Sequence, residues 1–255
     1  MMRSQLWTED HAHHYDERHG DRFDETVLGP TVRFLNELAA EAADGHGPQV
    51  LELAIGTGRV AVPLRRRGVA VAGIERSEPM VAKLREKVSA DEIPVTVGDM
   101  STATAPPPGP GGFHLVYLVY NTITNLLTQD AQVDCFVNAA RHLRPGGNFV
   151  IENVVPDLRR LPPGQDAVPF DLSDDHVGFD TIDTVSQRLT SHHVRRFDGD
   201  AWTRSASEHR YVWPSELDLM ARIAGMEPVV RVADWNGSPF DETSGSAVSV
   251  WRLLD

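Results

Sequence analysis

Glu52 and Glu75 flank a tight glycine pair, Gly56-Thr57-Gly58, and residues of these types at this spacing suit the capture of a nucleoside that carries an amine. The run from Val50 to Ile55 is apolar apart from Glu52 and is bounded by turn residues, which predicts a short strand buried on both faces. Gly56 and Gly58 then allow the backbone to bend and to approach a ligand where a side chain would collide. Glu52 sits in the strand just before the turn, where a carboxylate can meet an amino or ammonium group but would face a pyrophosphate badly. That favours a ligand without phosphates. Glu75 closes the next apolar run, Val69 to Ile74, about where an acidic residue accepts both hydroxyls of a ribose.

The turn alone is ambiguous, because Gly56-Thr57-Gly58-Arg59-Val60-Ala61 also fits the G-x-G-x-x-G/A pattern of nicotinamide-binding domains. Four further blocks follow it in order: Ser77-Glu78-Pro79-Met80, the short strand Pro94-Val95-Thr96-Val97-Gly98-Asp99-Met100 ending in an acid, the central strand Phe113 to Asn121, and Leu143-Arg144-Pro145-Gly146-Gly147. Together with the turn, these resemble the class I S-adenosylmethionine-dependent methyltransferases. The resemblance runs from about Tyr15 to Arg160 and from Tyr211 to the end. It implies that Glu75 binds the ribose, that Asp99 binds the adenine amino group and that Met80 packs on the adenine. Glu52 and the glycine turn would lie by the methionyl part, and Ala54 stands where many members have the first glycine. Arg59, Arg76 and Met100, beside these positions, complete the expected cofactor set, with S-adenosylhomocysteine as product. In the small-molecule branch the N-terminal segment folds over the cofactor and the Tyr of a Tyr-Asp pair faces the methionyl end, a role that falls on Tyr15.

Methyl transfer from a sulfonium is an in-line displacement with an excellent leaving group, so a protein must mainly align, desolvate and receive one proton. Alignment alone is worth roughly 7–11 kcal/mol. In open α/β sheets ligands lie beyond the carboxyl ends of the strands, which directs Tyr120, Asn121 and Thr122 toward the transferring methyl group. Tyr117 and Tyr120 have an alternative in simple packing between layers. A histidine, with an ordinary pKa near 6.5, suits the proton. Tyr15 and Tyr120 are therefore expected to shape the methyl passage and His14 or His193 to act as base. Only one of His192 and His193 can point into a pocket from a strand; His209, Tyr211 and Trp213 are further groups that could touch a substrate.

The elements that must position these groups are legible as a Rossmann-like α/β fold. A seven-stranded, mostly parallel sheet with a C-terminal antiparallel hairpin is expected, plus a small antiparallel β insertion over the active site. Residues 1–29 are expected to cover the cofactor, 30–155 to form its binding core, 156–210 to form the insertion as a substrate lid, and 211–255 to complete the sheet. A helix from roughly Thr57 to Arg67 should end at Gly68, and one from Pro30 to Ala43 should start at its proline. Ser77, Thr128 and Ser215 are expected as helix caps. The acidic stretch with Asp171, Asp174 and Asp175 reads as a loop, followed by strands at Thr181 to Val185, Arg188 to Arg196 and Glu208 to Val212. The hairpin, Glu227 to Asp234 and Ala247 to Leu253, is not expected in the nicotinamide fold.

A net charge of −13, with no basic run beyond Arg65 to Arg67, argues against nucleic acid as partner. Cys135 is the only cysteine, and no stretch is apolar and long enough for a membrane span or signal peptide, which fits a reducing cytoplasm. His11, His13, His14 and His19 lack the spaced partners of a metal site, so no metal is expected. The expected partner is a small molecule, a secondary metabolite or sugar methylated on nitrogen or oxygen, and a homodimer would form through the β insertion. A nicotinamide-dependent reductase and a non-catalytic S-adenosylmethionine-binding protein remain as alternatives.

Overall fold

Short apolar runs alternating with amphipathic stretches dictate strands covered by helices, and the computed structural model, which describes residues 24–43, 45–107, 109–196 and 201–254, has this arrangement. Strands β1 (Gln49–Leu53), β2 (Ala70–Glu75), β3 (Val95–Val97), β4 (Phe113–Leu118) and β5 (Leu143–Val154) pair in parallel. After an inserted segment come β10 (Met226–Val232) and β11 (Ser246–Leu253), and β11 lies antiparallel between β10 and β5. The order β10-β11-β5-β4-β1-β2-β3 makes the seven-stranded, mostly parallel sheet with the expected hairpin. All six residues of β4, its central strand, are buried.

Helices α1 (Glu25–Ala43), α2 (Ala61–Arg66) and α3 (Glu78–Arg85) precede β4, and α4 (Gln129–His142) and α5 (Pro214–Ile223) follow it. On one face of the sheet Phe136 of α4 meets Phe149 and Trp251 edge-on, with ring centroids 5.0 and 5.3 Å away. All three are fully buried, a burial worth roughly 1.5–3 kcal/mol for a side chain of this kind. On the other face Leu28, Val32, Leu35 and Ala39 of α1 pack with α2 over β1 and β4.

Several boundaries differ from expectation for local reasons. Helix α1 starts at Glu25, not Pro30, because the Asp24 carboxylate caps it, accepting from the Thr26 amide at 2.8 Å and hydroxyl at 2.7 Å. Pro30 then sits in the second turn, where its ring forfeits one backbone hydrogen bond. Helix α2 starts only at Ala61, because Gly58 at φ +80° cannot be helical. Ser77 and Thr128 cap as expected, accepting from the Met80 and Ala131 amides. Ser215 does not cap: Trp213 holds that position and Pro214 opens α5.

The inserted chain makes a separate antiparallel sheet of four strands in sequence order, β6 (Ala167–Leu172), β7 (His176–Asp183), β8 (Arg188–Arg196) and β9 (Trp202–Arg210). The acidic stretch read as a loop therefore contributes a strand, β6, which pairs with β7 through a shifted register between Pro169 and Asp171. Expected strands at Thr181 and Glu208 are the ends of β7 and β9. Arg210, 5% exposed, ties this sheet to the core by donating to Gln132 Oε1, to Gln187 Oε1 at 2.9 Å and to Glu216 Oε1 at 2.7 Å.

Gly73 in β2 lets the strand pass Ile55 of the glycine turn, since a Cβ there would lie 2.6–2.9 Å from three atoms of the isoleucine. Gly73→Ala is expected to cost about 1–3 kcal/mol in denaturant unfolding. With Ile55→Ala added, the loss should be smaller than the sum of the two single losses; strict additivity would show that the contact is not the cause.

Candidate active site

The turn after β1 alternates in handedness, with Ala54, Gly56 and Gly58 at φ +54°, +57° and +80°. At Gly58 a side chain is barred twice, by the backbone and because a Cβ would lie 2.3 Å from Leu84 Cδ1. Ala54 accepts the same left-handed backbone with a methyl group, at a cost of about 1–2 kcal/mol.

Two carboxylates hold this turn. Glu75 accepts from the Gly56 amide through one oxygen and from the Ser77 amide through the other, both at 2.8 Å, so it joins the loop after β1 to the loop after β2. Burial raises its pKa, against those backbone hydrogen bonds. The Arg76 backbone amide acts on the same carboxylate, and of its about four acceptor sites one remains for another donor. Glu52 is 3% exposed and accepts from the Tyr117 hydroxyl at 2.8 Å. Burial pushes its carboxyl up to about 8, against the Tyr117 hydrogen bond and the Arg59 charge. Tyr117 is thus a buried packing residue with a satisfied hydroxyl.

Beyond the glycine turn, Asp99 accepts from the Ser101 amide at 2.9 Å and hydroxyl at 2.6 Å, and Arg76 lies 3.8 Å from its other oxygen. Met80 and Met100 are 2% and 8% exposed. Strand β4 ends at Leu118, short of the expected Tyr120, because Tyr120 and Asn121 turn left-handed at φ +60° and +55°. Strand β5 braces this corner. Glu152 accepts from the Tyr120 amide at 2.7 Å and from Trp235 Nε1 at 2.8 Å, and Asn121 Oδ1 accepts from the Val154 amide. The Arg59 guanidinium stands 5.8 Å from the Tyr120 ring centroid, which joins the corner to the glycine turn.

A cavity of about 450 Å³ opens beside the corner, between the ends of β4 and β5 and the inserted sheet. Asn121, Thr124, Val154 and Val212 line it from the core, and Val168, Asp180, Ile182, Leu189 and His209 from β6 to β9. His193 does not line it. Its Nδ1 lies 3.0 Å from His176 Nε2, whose Nδ1 meets Asp171 at 2.7 Å, and the two rings stack. His192 lies on the opposite face, against Thr181 and Phe179. The structure therefore brings His209, not His193, to the cavity, while His14 and Tyr15 lie outside the described residues. Asp180 lies outside the strand expected from Thr181 because β7 begins five residues earlier, at His176; two-residue alternation back from Ile182 places Asp180 on the same face.

Glu52 makes a pH prediction. Its folded pKa is above the unfolded value near 4.5, so its stabilising contribution is complete below that value and is lost as pH rises through about 8. In chemical denaturation, the stability of the wild type relative to Glu52→Gln should fall between pH 5 and pH 8. A flat or rising difference would refute the buried, protonated carboxyl.

Comparison with known proteins agrees with this geometry. Residues 50–147 match the family model described as a methyltransferase domain. The CcbJ methyltransferase from Streptomyces caelestis superposes with a TM-score of 0.76 and 37% identity over 89% of each chain. The cypemycin N-terminal methyltransferase of a Streptomyces species is 27% identical over 78% of this chain and 80% of its own. SAM-bound CalS10, an amino pentose methyltransferase from Micromonospora echinaspora, shares the fold at a TM-score of 0.68 and 18% identity, covering 99% of this chain and all of its own. With the glycine turn, the acid that ends β2 and the reversed last strand all in one chain, this protein belongs to the S-adenosylmethionine-dependent methyltransferases.

Proposed function

We propose that this enzyme methylates a nitrogen or oxygen of a small molecule, a secondary metabolite or sugar, held in the cavity between the main sheet and β6 to β9. The observation that carries this reading is continuity: the cavity lies against Asn121, its neighbour Tyr120 meets Arg59, and Arg59 follows the glycine turn. When bound, S-adenosylmethionine supplies an electrophilic methyl group. The chain's residues fit it, since the turn leaves open space at Gly56, where a Cβ would meet only the Ala54 carbonyl oxygen at 4.0 Å, beside the Glu75 carboxylate that accepts from its amide. Glu75 takes the ribose hydroxyls, Asp99 with Arg76 the adenine amino edge, and Met80 and Met100 the adenine face. Ala54, Gly56, Gly58 and Arg59 take the methionyl end, with Glu52 behind them. Tyr120, Asn121 and the N-terminal Tyr15 form the passage to the acceptor.

The inserted sheet is then a lid that excludes water from the transfer. A relative named as an N-terminal methyltransferase supports nitrogen as the acceptor atom. A homodimer through the inserted sheet is supported by Leu172 and Trp202, which are 74% and 49% exposed there. No helix among the described residues is long and apolar enough to cross a membrane; action in the cytoplasm is part of this reading.

Calorimetric titration tests the cofactor. S-adenosylmethionine and S-adenosylhomocysteine should both give heat and NADPH none. Glu75→Ala should weaken both by about 10- to 100-fold, the worth of hydrogen bonds to a charged group. Heat with NADPH alone would make the turn a dinucleotide site and end this reading.

A further inference from the structure

His209 and Asp180 project from the same face of the inserted sheet into the cavity. Asp180, Ser191 and Ser207 form one cross-strand row, and His209 stands two residues beyond Ser207. The hydrogen-bond direction around His209 follows from counting protons. Thr124 has one hydroxyl proton and donates it to the Asn121 carbonyl at 2.7 Å. Its oxygen, 3.3 Å from His209 Nδ1, must therefore accept, which puts the imidazole proton on Nδ1. His209 Nε2 keeps its lone pair, 2.9 Å from the Ser207 hydroxyl, and that hydroxyl is free to rotate when another donor arrives. Burial holds the ring below its ordinary pKa, against the Asp180 charge, which favours the neutral imidazole.

Asp180 supplies the complementary charge. One of its oxygens accepts from the Ser191 hydroxyl at 2.6 Å, and among the described residues no other hydrogen bond to its side chain is seen. A carboxylate here would repel the oxyanion needed for transfer to oxygen, whereas it attracts an ammonium group and steadies the positive charge that grows on a nitrogen as it is methylated. The walls around the pair, Val168, Ile182, Leu189 and Val212, are apolar. The Arg among the lining residues, Arg160, is exposed and donates to the Pro169 carbonyl.

Resting on the methyl-transfer reading above, we propose that the acceptor is an aliphatic amine carried on an apolar ring, that Asp180 binds its ammonium group, and that His209 Nε2 takes its proton. In that step an N–H bond of the ammonium breaks, its electron pair stays on nitrogen as the nucleophile, and the proton bonds to Nε2 to give an imidazolium that returns it to water. Asn121 links this relay to the corner that holds Tyr120, so the base and the methyl passage are positioned by the same residue.

The test uses the full chain labelled with ¹⁵N-histidine, with cyclohexylamine as probe and cyclohexanol as its uncharged counterpart, added to protein saturated with S-adenosylhomocysteine. NMR should find His209 as the Nδ1–H tautomer before any ligand is added. The amine should bind about tenfold more tightly than the alcohol, as expected for a charged hydrogen bond, and should shift the His209 nitrogens. Asp180→Asn should abolish the preference, and both it and His209→Gln should bind S-adenosylhomocysteine as the wild type does, which reports that they fold. An Nε2–H tautomer, equal affinity for amine and alcohol, or a preference that survives in Asp180→Asn overturns this assignment alone. Failure to bind S-adenosylhomocysteine would overturn the methyl-transfer reading instead, and the tautomer, which needs no ligand, would still decide the direction of the relay.

Discussion

The arrangement depends on the Arg210 guanidinium, buried where the inserted sheet meets the core. A guanidinium removed from water must find acceptors in a fixed planar fork, and Gln132 of α4, Gln187 before β8 and Glu216 of α5 provide them. Burial opposes the charge on Glu216, but hydrogen bonds from Gln187, Arg210 and Gln129 hold its carboxyl below the usual range. A buried pair of this kind is weak evidence for added stability, yet removing one partner costs roughly 3–5 kcal/mol. Its value is geometric. Three segments far apart in sequence are brought to one point, and the cavity exists because β9 is pinned there while β7 and β8 hang from it in register.

The glycine turn is held in a different way. The turn after β1 carries three left-handed residues in five, which would be unstable alone. Glu75 offsets this by accepting one amide from each of two loops, so the strain of one is shared with the fixed geometry of the other. Glu152 does the same for the left-handed corner after β4, bracing it from β5 and from Trp235. In both places a carboxylate accepts the amide of a residue that departs from regular structure, and that residue borders the candidate site.

How much of this can be read in the sequence depends on the range of the interaction that fixes each feature. The parallel strands, the glycine turn, the caps Ser77 and Thr128 and the reversed final strand are set by neighbours within a few residues, and they stand where apolar periodicity and turn chemistry put them. Asp24 is masked as a cap in the sequence because Pro30 is a louder signal for a helix start. Strand β6 was hidden because Pro169 and Asp171 read as a loop; at the edge of a sheet both are tolerated, since the side facing away from β7 needs no donor. The left-handed turn at Tyr120 and Asn121 was illegible, because it is imposed by Glu152 and Val154 thirty residues away. The same is true of the site: Glu75 is visible from its place after a strand, whereas His209 at the cavity rather than His193 is a matter of cross-strand register.

That register separates two duties along the same strands. Leu189 and His209 face the cavity, while Arg188, which donates to the Leu127 carbonyl, and Arg210 face the core. Neighbouring residues in a strand point opposite ways, so the side chains that meet a ligand and those that dock the sheet never compete for a position. A lineage can therefore exchange the cavity-facing residues one by one, exploring new ligands, while the anchor that keeps the inserted sheet in place is left untouched.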